Sequence, residues 1–416
     1  MTTEPHQNHA DFQAVLFNGS RKYLLSTAAV EAAIAKDGLS KPRAFGVRYI
    51  IDAIVRQRLG VTRIAGRRSK PSHLHSAHLQ DALGRIYKAS LSWPIDRGLL
   101  STDNVYTVGV SARGYAITRR GWRGGPVPVE MTEKQMERYA RARARLKKES
   151  EAARNAEGVP LDYLRFHLGR LSFEAEEVRR YFEGMAAPTT WEEGERINSH
   201  VLAASLVAGL DWTFHRCAAG RLHYPITNLP KALRRLLRYQ GEELVEIDVS
   251  SCQPFLASRL YPVGEEERLR YLADVRADFY ERLGAAAGWN GSRKELKREV
   301  LKRVFFGAEE QACGPVWEAF AMLYPVLASI IFEGKRELRQ WSGDRELALR
   351  LQGAEAAVFI GGALRRIAEE MPGVLALPLH DCFLTTADNV EAVLEVLREE
   401  FLRQFGEVPS FTIKAA

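Results

Sequence analysis

Two aspartates stand where a carboxylate is costly. Asp381 follows His380 in "LPLHDCFLTT", Leu377 to Thr386, between two apolar runs, and Asp248 ends the apolar strand pattern of "GEELVEIDVSSCQPFLASRLY". A buried carboxylate needs a partner side chain, backbone amides or a metal ion to compensate its charge. Two aspartates at strand ends on one sheet suit a pair of Mg²⁺ ions, which neutralise the carboxylates and stabilise attacking and leaving oxygens in phosphoryl transfer. Between them, "RKELKREVLKRVFFG" spaces Arg298, Lys302 and Phe306 by four, on one helical face. Two cations and a ring so placed make a triphosphate clamp beside a stacking platform for a base. Taken singly, each feature has a plainer reading, as a satisfied core Asp or an ordinary basic surface helix.

The elements that carry these residues follow from periodicity. Leu244, Val245 and Ile247 predict a strand ending at Asp248, then a turn and a helix. Upstream, "AFGVRYIIDAIVRQRLG" repeats Val47, Ile50, Ile51, Ile54 and Val55 at helical spacing. "SHLHSAH" (His73, His75, His78) matches no common metal spacing and forms the polar start of a helix. In "NVYTVGVSARGYAITRR", alternation predicts a strand over Val105–Val110, a turn, and a second strand over Tyr115–Thr118. Helix followed by basic hairpin is the outline of a winged helix, with Arg113, Arg119, Arg120 and Arg123 on the wing for phosphate contacts. "TEKQMERYARARARLKKESEAARNAEG" opens with a capping box at Thr132 and Gln135 and predicts an exposed helix up to Gly158, and residues 159 to 215 predict two or three amphipathic helices.

Composition narrows the class. A chain of 416 residues, 46% hydrophobic and 27% charged, is long enough for two or three folded domains. Its net charge of +7 is modest, but the basic residues cluster in "RARARLKK" (Arg141 to Lys148) and "GRRSK" (Gly66 to Lys70), which favours a polyanionic partner. Four dispersed cysteines, with no CxxC, suggest neither a zinc ribbon nor a disulfide framework but reduced thiols in a cytoplasmic protein. The N-terminus lacks a basic and then apolar signal pattern, and no run of about 18 apolar residues occurs, so neither export nor membrane spanning is expected.

Five segments in order resemble the family A DNA polymerases and their relatives, the phage-type single-subunit RNA polymerases. "GRLHYPITNLP" resembles "GRLSSxxPNLQNIP", which implies primer and minor-groove contacts for Arg221 and Asn228. "DVSSCQP" resembles motif A, "DYSQIEL", with Asp248 and the Val249 carbonyl as metal ligands and Gln253 at the family's Glu position. "RxxxKxxFFG" resembles motif B, with Arg298 and Lys302 on the triphosphate and Phe306 beside its sugar and base. "LQGAEAAVF" resembles "MQGTAADII", implying a minor-groove contact for Gln352. "LHDCF" resembles motif C, "VHDE", with His380 near the primer terminus and Asp381 as the other metal ligand.

The resemblance covers Gly220 to about Thr386 and implies an α+β right-hand fold. A basic N-terminal module (1–130) would precede a helical thumb or connector (131–215) and a catalytic region (216–416). That region would have an antiparallel palm sheet and helical fingers at about 265–350. The implied activity is two-metal nucleotidyl transfer with Mg²⁺, for which Mn²⁺ can substitute, using a DNA template, a primer or nascent strand and nucleoside triphosphates. No segment resembles a proofreading exonuclease. There are departures as well: Cys382 stands where the family has a third acid, and Glu310 stands at the position of the tyrosine that pairs with the motif A acid. A Gln253–Glu310 hydrogen bond would rebuild that sugar gate or leave a pocket for a ribose hydroxyl. Two rival expectations are a primase or RNA polymerase, and a catalytically silent DNA-binding replication protein.

Overall fold

The structure, a computed structural model, describes residues 23–60, 72–104, 113–153, 158–185, 200–201, 203–204, 207, 212, 214–261, 263–341 and 346–416. The basic loop Gly66–Lys70, the predicted strand Val105–Val110, and the side chains of Arg143 and of Arg145–Lys148 lie outside the described residues. The chain divides into two compact units. One comprises Met1–Arg154, Leu171–Thr213 and Tyr224–Arg238, and the other Asn155–Arg170, Phe214–His223 and Tyr239–Ala416. Helices dominate both, and the strand pairs are antiparallel, so the class is α+β.

In the first unit, β1 (Tyr23–Thr27) runs directly into α1 (Ala28–Asp37), where the Thr27 hydroxyl accepts from the Val30 amide at 3.2 Å as an N-cap. Next come α2 (Lys41–Gly60), β2 (Ser72–His73), α3 (Ser76–Leu83), α4 (Tyr87–Asp96), β3 (Leu100–Thr102), β4 (Gly114–Ile117), β5 (Pro126–Glu130) and α5 (Glu133–Ala153). The stripe predicted on α2 is the core of this unit, with Val47, Ile50, Ile51, Ile54 and Val55 all buried. β1 pairs with β5, and β4 lies between β2 and β3. The strand expected over Tyr115–Thr118 is thus present as β4. Its neighbour Leu100–Thr102 is too short for alternation to reveal it.

α5 begins as expected, with the Thr132 amide donating to Gln135 Oε1 at 2.9 Å. It is not an exposed helix throughout. Tyr139 and Ala142 are buried, Arg138 Nε donates to the Ala82 carbonyl at 2.6 Å, and the Tyr139 hydroxyl donates to Asp52 Oδ2 at 2.8 Å. A few polar anchors dock it, and they leave no apolar stripe for periodicity to detect.

The second unit contains α6 (Leu161–Leu168), the hairpin of β6 (His215–Arg216) and β7 (Leu222–His223), β8 (Glu242–Val249) and α7 (Cys252–Leu260). A helical block follows: α8 (Glu265–Arg276), α9 (Phe279–Ala286), α10 (Arg293–Val300) widening into a π turn over Leu301–Phe306, α11 (Pro315–Leu323), α12 (Pro325–Trp341), α13 (Glu346–Ala356), a second π turn over Ala357–Leu364, and α14 (Arg365–Glu370). The chain then returns as β9 (Leu377–Leu379), β10 (Cys382–Thr386), α15 (Val390–Phe405) and β11 (Phe411–Ala415).

β8 is held between β10 and β11, with β9 outside β10. An aromatic cluster backs the sheet: Phe383 meets Phe359 at 5.4 Å between ring centroids, and Phe401 meets Phe359 at 6.2 Å and Phe255 at 5.6 Å. The run Leu347–Glu370 is long and apolar enough on average to cross a membrane, but here its Leu351, Val358, Phe359 and Leu364 are buried within the unit, as in a core helix.

Candidate active site

The two aspartates arrive from opposite ends of the helical block. β9 and β10 are joined by two residues only, His380 and Asp381, with Leu379 paired to Cys382 across the turn. The pair therefore forms a tight hairpin turn, with Asp381 immediately before β10. In register, Asp248 of β8 faces Cys382 of β10, and the Val249 amide donates to the Asp381 carbonyl at 3.1 Å. Asp248, Asp381 and the turn that follows β8 are thereby stitched together.

Backbone strain marks the same place. His380 has φ 58° and Ser251, just after β8, has φ 51°, a left-handed region unusual for residues with a Cβ. Each stands within three residues of one aspartate. The β6–β7 hairpin, which carries Arg221, turns at Gly220 with φ 79°, where glycine adopts the geometry without that cost.

Asp381 is raised above the ordinary carboxylate range, first by burial and then by the charge of Asp248, while Lys297 and Arg221 pull the other way. The buried Cys252 thiol is likewise pushed well above its usual value by burial and further by Glu355, Asp381 and Asp248. Carboxylate oxygens in such surroundings fit a hard divalent cation such as Mg²⁺.

A tighter group, Glu246, Asp248 and Cys382, has its ligand atoms within 4.8 Å of one another. It does not fit a metal as well, because the Cys382 thiol turns to the Leu379 carbonyl at 3.3 Å, and the two carboxylates already share an ammonium. Lys414 of β11 places Nζ 2.9 Å from Glu246 Oε1 and 2.9 Å from Asp248 Oδ2. These two carboxylates hold the Lys414 ammonium well above its usual pKa, outweighing the burial that opposes it.

A second charged cluster joins three of the sequence segments. Arg221 donates from Nε to Glu355 Oε1 at 2.7 Å and from Nη2 to Glu355 Oε2 at 2.5 Å, and the Gln253 amide nitrogen donates to Glu355 Oε2 at 2.5 Å. Glu355 is 1% exposed, and burial pushes its carboxyl up to about 7 against the pull of Arg221. The expected Gln253–Glu310 bond is thus replaced by Gln253–Glu355. Gln253 is buried at the start of α7, whereas Glu310 lies exposed in the short turn Glu309–Gln311. Gln352, half-buried on α13, lies one helical turn before Glu355.

On α10, Arg298 is exposed, as is Lys302 in the π turn, while Phe306 closes that turn half-buried. Gly307 follows by necessity, because a Cβ there would overlap the Lys302 carbonyl. The cation whose charge bears on Asp381 is Lys297, which also lies 5.9 Å from the centroid of the buried Tyr280 ring. Above the turn, the His380 ring stands 5.2 Å from His223, which stands 6.1 Å from His215. Burial lowers the His223 pKa, and the neighbouring His215 and Arg221 lower it further. Asn228 ends the short turn Pro225–Asn228 in the first unit.

Sequence reasoning missed Glu355, Lys297 and Lys414. Glu355 is a lone acid in the small, apolar run "AEAAVF", and Lys297 belongs to a second RxxxK spacing, Arg293–Lys297, that immediately precedes the first. Both signals were present. Lys414 has no local signal, since its partners are remote in sequence.

No protein-family model matches the chain, and no curated protein matches it. Among solved structures it is similar to the POL domain of Pol1 from M. smegmatis in complex with DNA primer-template and dNTP, at 12% identity and a TM-score of 0.40, over 99% of this chain and 69% of that one.

Proposed function

We propose that this chain is a template-directed nucleotidyltransferase of the family A polymerase type, a DNA polymerase that extends a 3′-hydroxyl without proofreading. The observation that carries the reading is the meeting of Asp248 and Asp381 at the ends of neighbouring strands, mutually repelling and backed by strained backbone. Asp248, Asp381 and the Val249 carbonyl would hold Mg²⁺, or Mn²⁺ in its place. When bound, such ions acidify the attacking hydroxyl and neutralise charge building on the phosphate oxygens.

The chain's own groups do the rest. Lys297, Arg298 and Lys302 supply positive charge for the triphosphate, with Phe306 beside its base and sugar. Arg221, fixed through Nε and Nη2 by Glu355, presents its remaining edge to the primer-template minor groove, where Gln352 also acts, and Asn228 is a further contact to the primer-template. His380, set by its turn, positions the end of the growing strand. Residues around β8 to β11 form the palm, the helices from 265 to 350 the fingers, and 131–215 the thumb. The exposed arginines after β4 add a phosphate-binding surface in the N-terminal module, and the working place is the cytoplasm.

The test is extension of a labelled primer on a DNA template, with dNTPs and NTPs in separate reactions, beside an unprimed control and Asp381→Ala. Template-directed extension that the substitution abolishes is the expected result. Ribonucleotide products without primer would make the chain a primase. Binding without synthesis would make it a silent replication protein.

A further inference from the structure

Lys414 occupies a position that the proposed chemistry does not use. Its cross-strand partner is Glu246, directly opposite in the β8–β11 register, and it reaches diagonally to Asp248. The strand that carries it is anchored at both ends: the Ser250 amide donates to the Ser410 carbonyl at 2.9 Å, Ser250 and Thr412 hydroxyls meet at 2.8 Å, and the Ala416 amide donates to the Leu244 carbonyl at 3.1 Å. What can move is the four-carbon stem of the lysine.

We infer that Lys414 is an exchangeable internal counter-ion. It neutralises Asp248 while no cation is bound and retires onto Glu246 when a divalent cation takes Asp248. This rests on the reading of Asp248 as a metal ligand. Glu246 is what makes the exchange feasible: it is 6% exposed and cannot ligate without losing its own compensation, so it offers the ammonium a permanent seat. Asp248, 29% exposed, is the more accessible of the two carboxylates and the one that can change partner. Without Lys414, the cation-free protein would hold three carboxylates in one neighbourhood, Glu246, Asp248 and Asp381, with less positive charge among them.

The test is equilibrium binding of Mn²⁺ alone to the full chain, followed by calorimetry, in wild type, Asp248→Asn, Lys414→Met and the double variant Glu246→Gln with Lys414→Met. The double variant keeps the formal net charge of the wild type while removing the competitor together with its seat. It should bind Mn²⁺ about fivefold tighter than wild type, the scale of one partly exposed ion pair. Lys414→Met alone should also bind more tightly. Unfolding curves in chelator verify that each variant is folded. If wild type binds and both lysine variants bind equally or more weakly, Lys414 does not compete and the inference fails while the metal reading stands. If wild type and Asp248→Asn bind alike, the metal reading fails and takes this inference with it.

Discussion

Arg221 and Glu355, 134 residues apart in sequence, meet as a two-bond ion pair whose carboxylate is 1% exposed and also holds the Gln253 amide. Removing one partner of such a pair leaves a buried charge that the protein avoids by taking up a proton where it can. Glu355 already titrates at about 7. Arg221→Met should therefore cost little at pH 5 and about 3 kcal/mol at pH 8, measured by urea unfolding at the two pH values. An equal loss at both would mean that the carboxylate is not the buried charge at stake.

Glu355 itself gives a pH signature. Its carboxyl is raised from 4.5 to about 7 in the folded protein, so the unfolded chain releases that proton first. The contribution is fully present below about pH 4.5 and is lost as pH rises through about 7. Glu355→Gln mimics the protonated form and should flatten the stability curve across that window, as followed by thermal unfolding.

Lys335 is a second buried ionisable group, 6% exposed, with Nζ donating to the Arg303 carbonyl at 3.0 Å inside the first π turn. Burial lowers its pKa from 10.5 to about 8, so stability rises with pH across that range. The shift corresponds to roughly 3 kcal/mol of destabilisation at pH 7, against about 1 kcal/mol for one hydrogen bond. Burial wins. Lys335→Met should gain about 2 kcal/mol at pH 7 and lose that advantage by about pH 10.5, in denaturant titrations at both values.

In the first unit, Asp52 is 2% exposed and accepts from the Leu25 amide at 2.7 Å, Arg56 Nε at 2.8 Å and the Tyr139 hydroxyl at 2.8 Å. It ties β1, α2 and α5 together. Asp52→Ala would remove the acceptor that three donors share and should cost about 3–5 kcal/mol, with faster hydrogen exchange at the Leu25 amide as its local mark.

What was legible in the sequence follows physical range. The buried face of α2 and the strand before Asp248 show as periodicity, because each depends on its own residues. The order of the five segments groups Arg221, Gln253 and the Gln352 helix, and the structure joins them through Glu355, which carries no motif signal of its own. The turn at His380–Asp381 was readable too: a two-residue polar pair between apolar runs is the form of a short hairpin, and the apolar flanks drew attention to burial instead. Lys414 and the docking of α5 on Asp52 were out of reach, since both are contacts between distant positions with no pattern along the chain.

The pairing of β8 with β10 encloses every helix from α7 to α14 in a single long excursion between the two aspartates. Closing such a loop is insensitive to its length, with each doubling costing only about 0.6 kcal/mol. Outside α7, α10 and α13, whose side chains serve the site, lineages of this protein are therefore free to gain or lose residues in that excursion while the two-residue turn and the β8 terminus stay fixed. Size variation between relatives should fall there, leaving the distance between the carboxylates untouched.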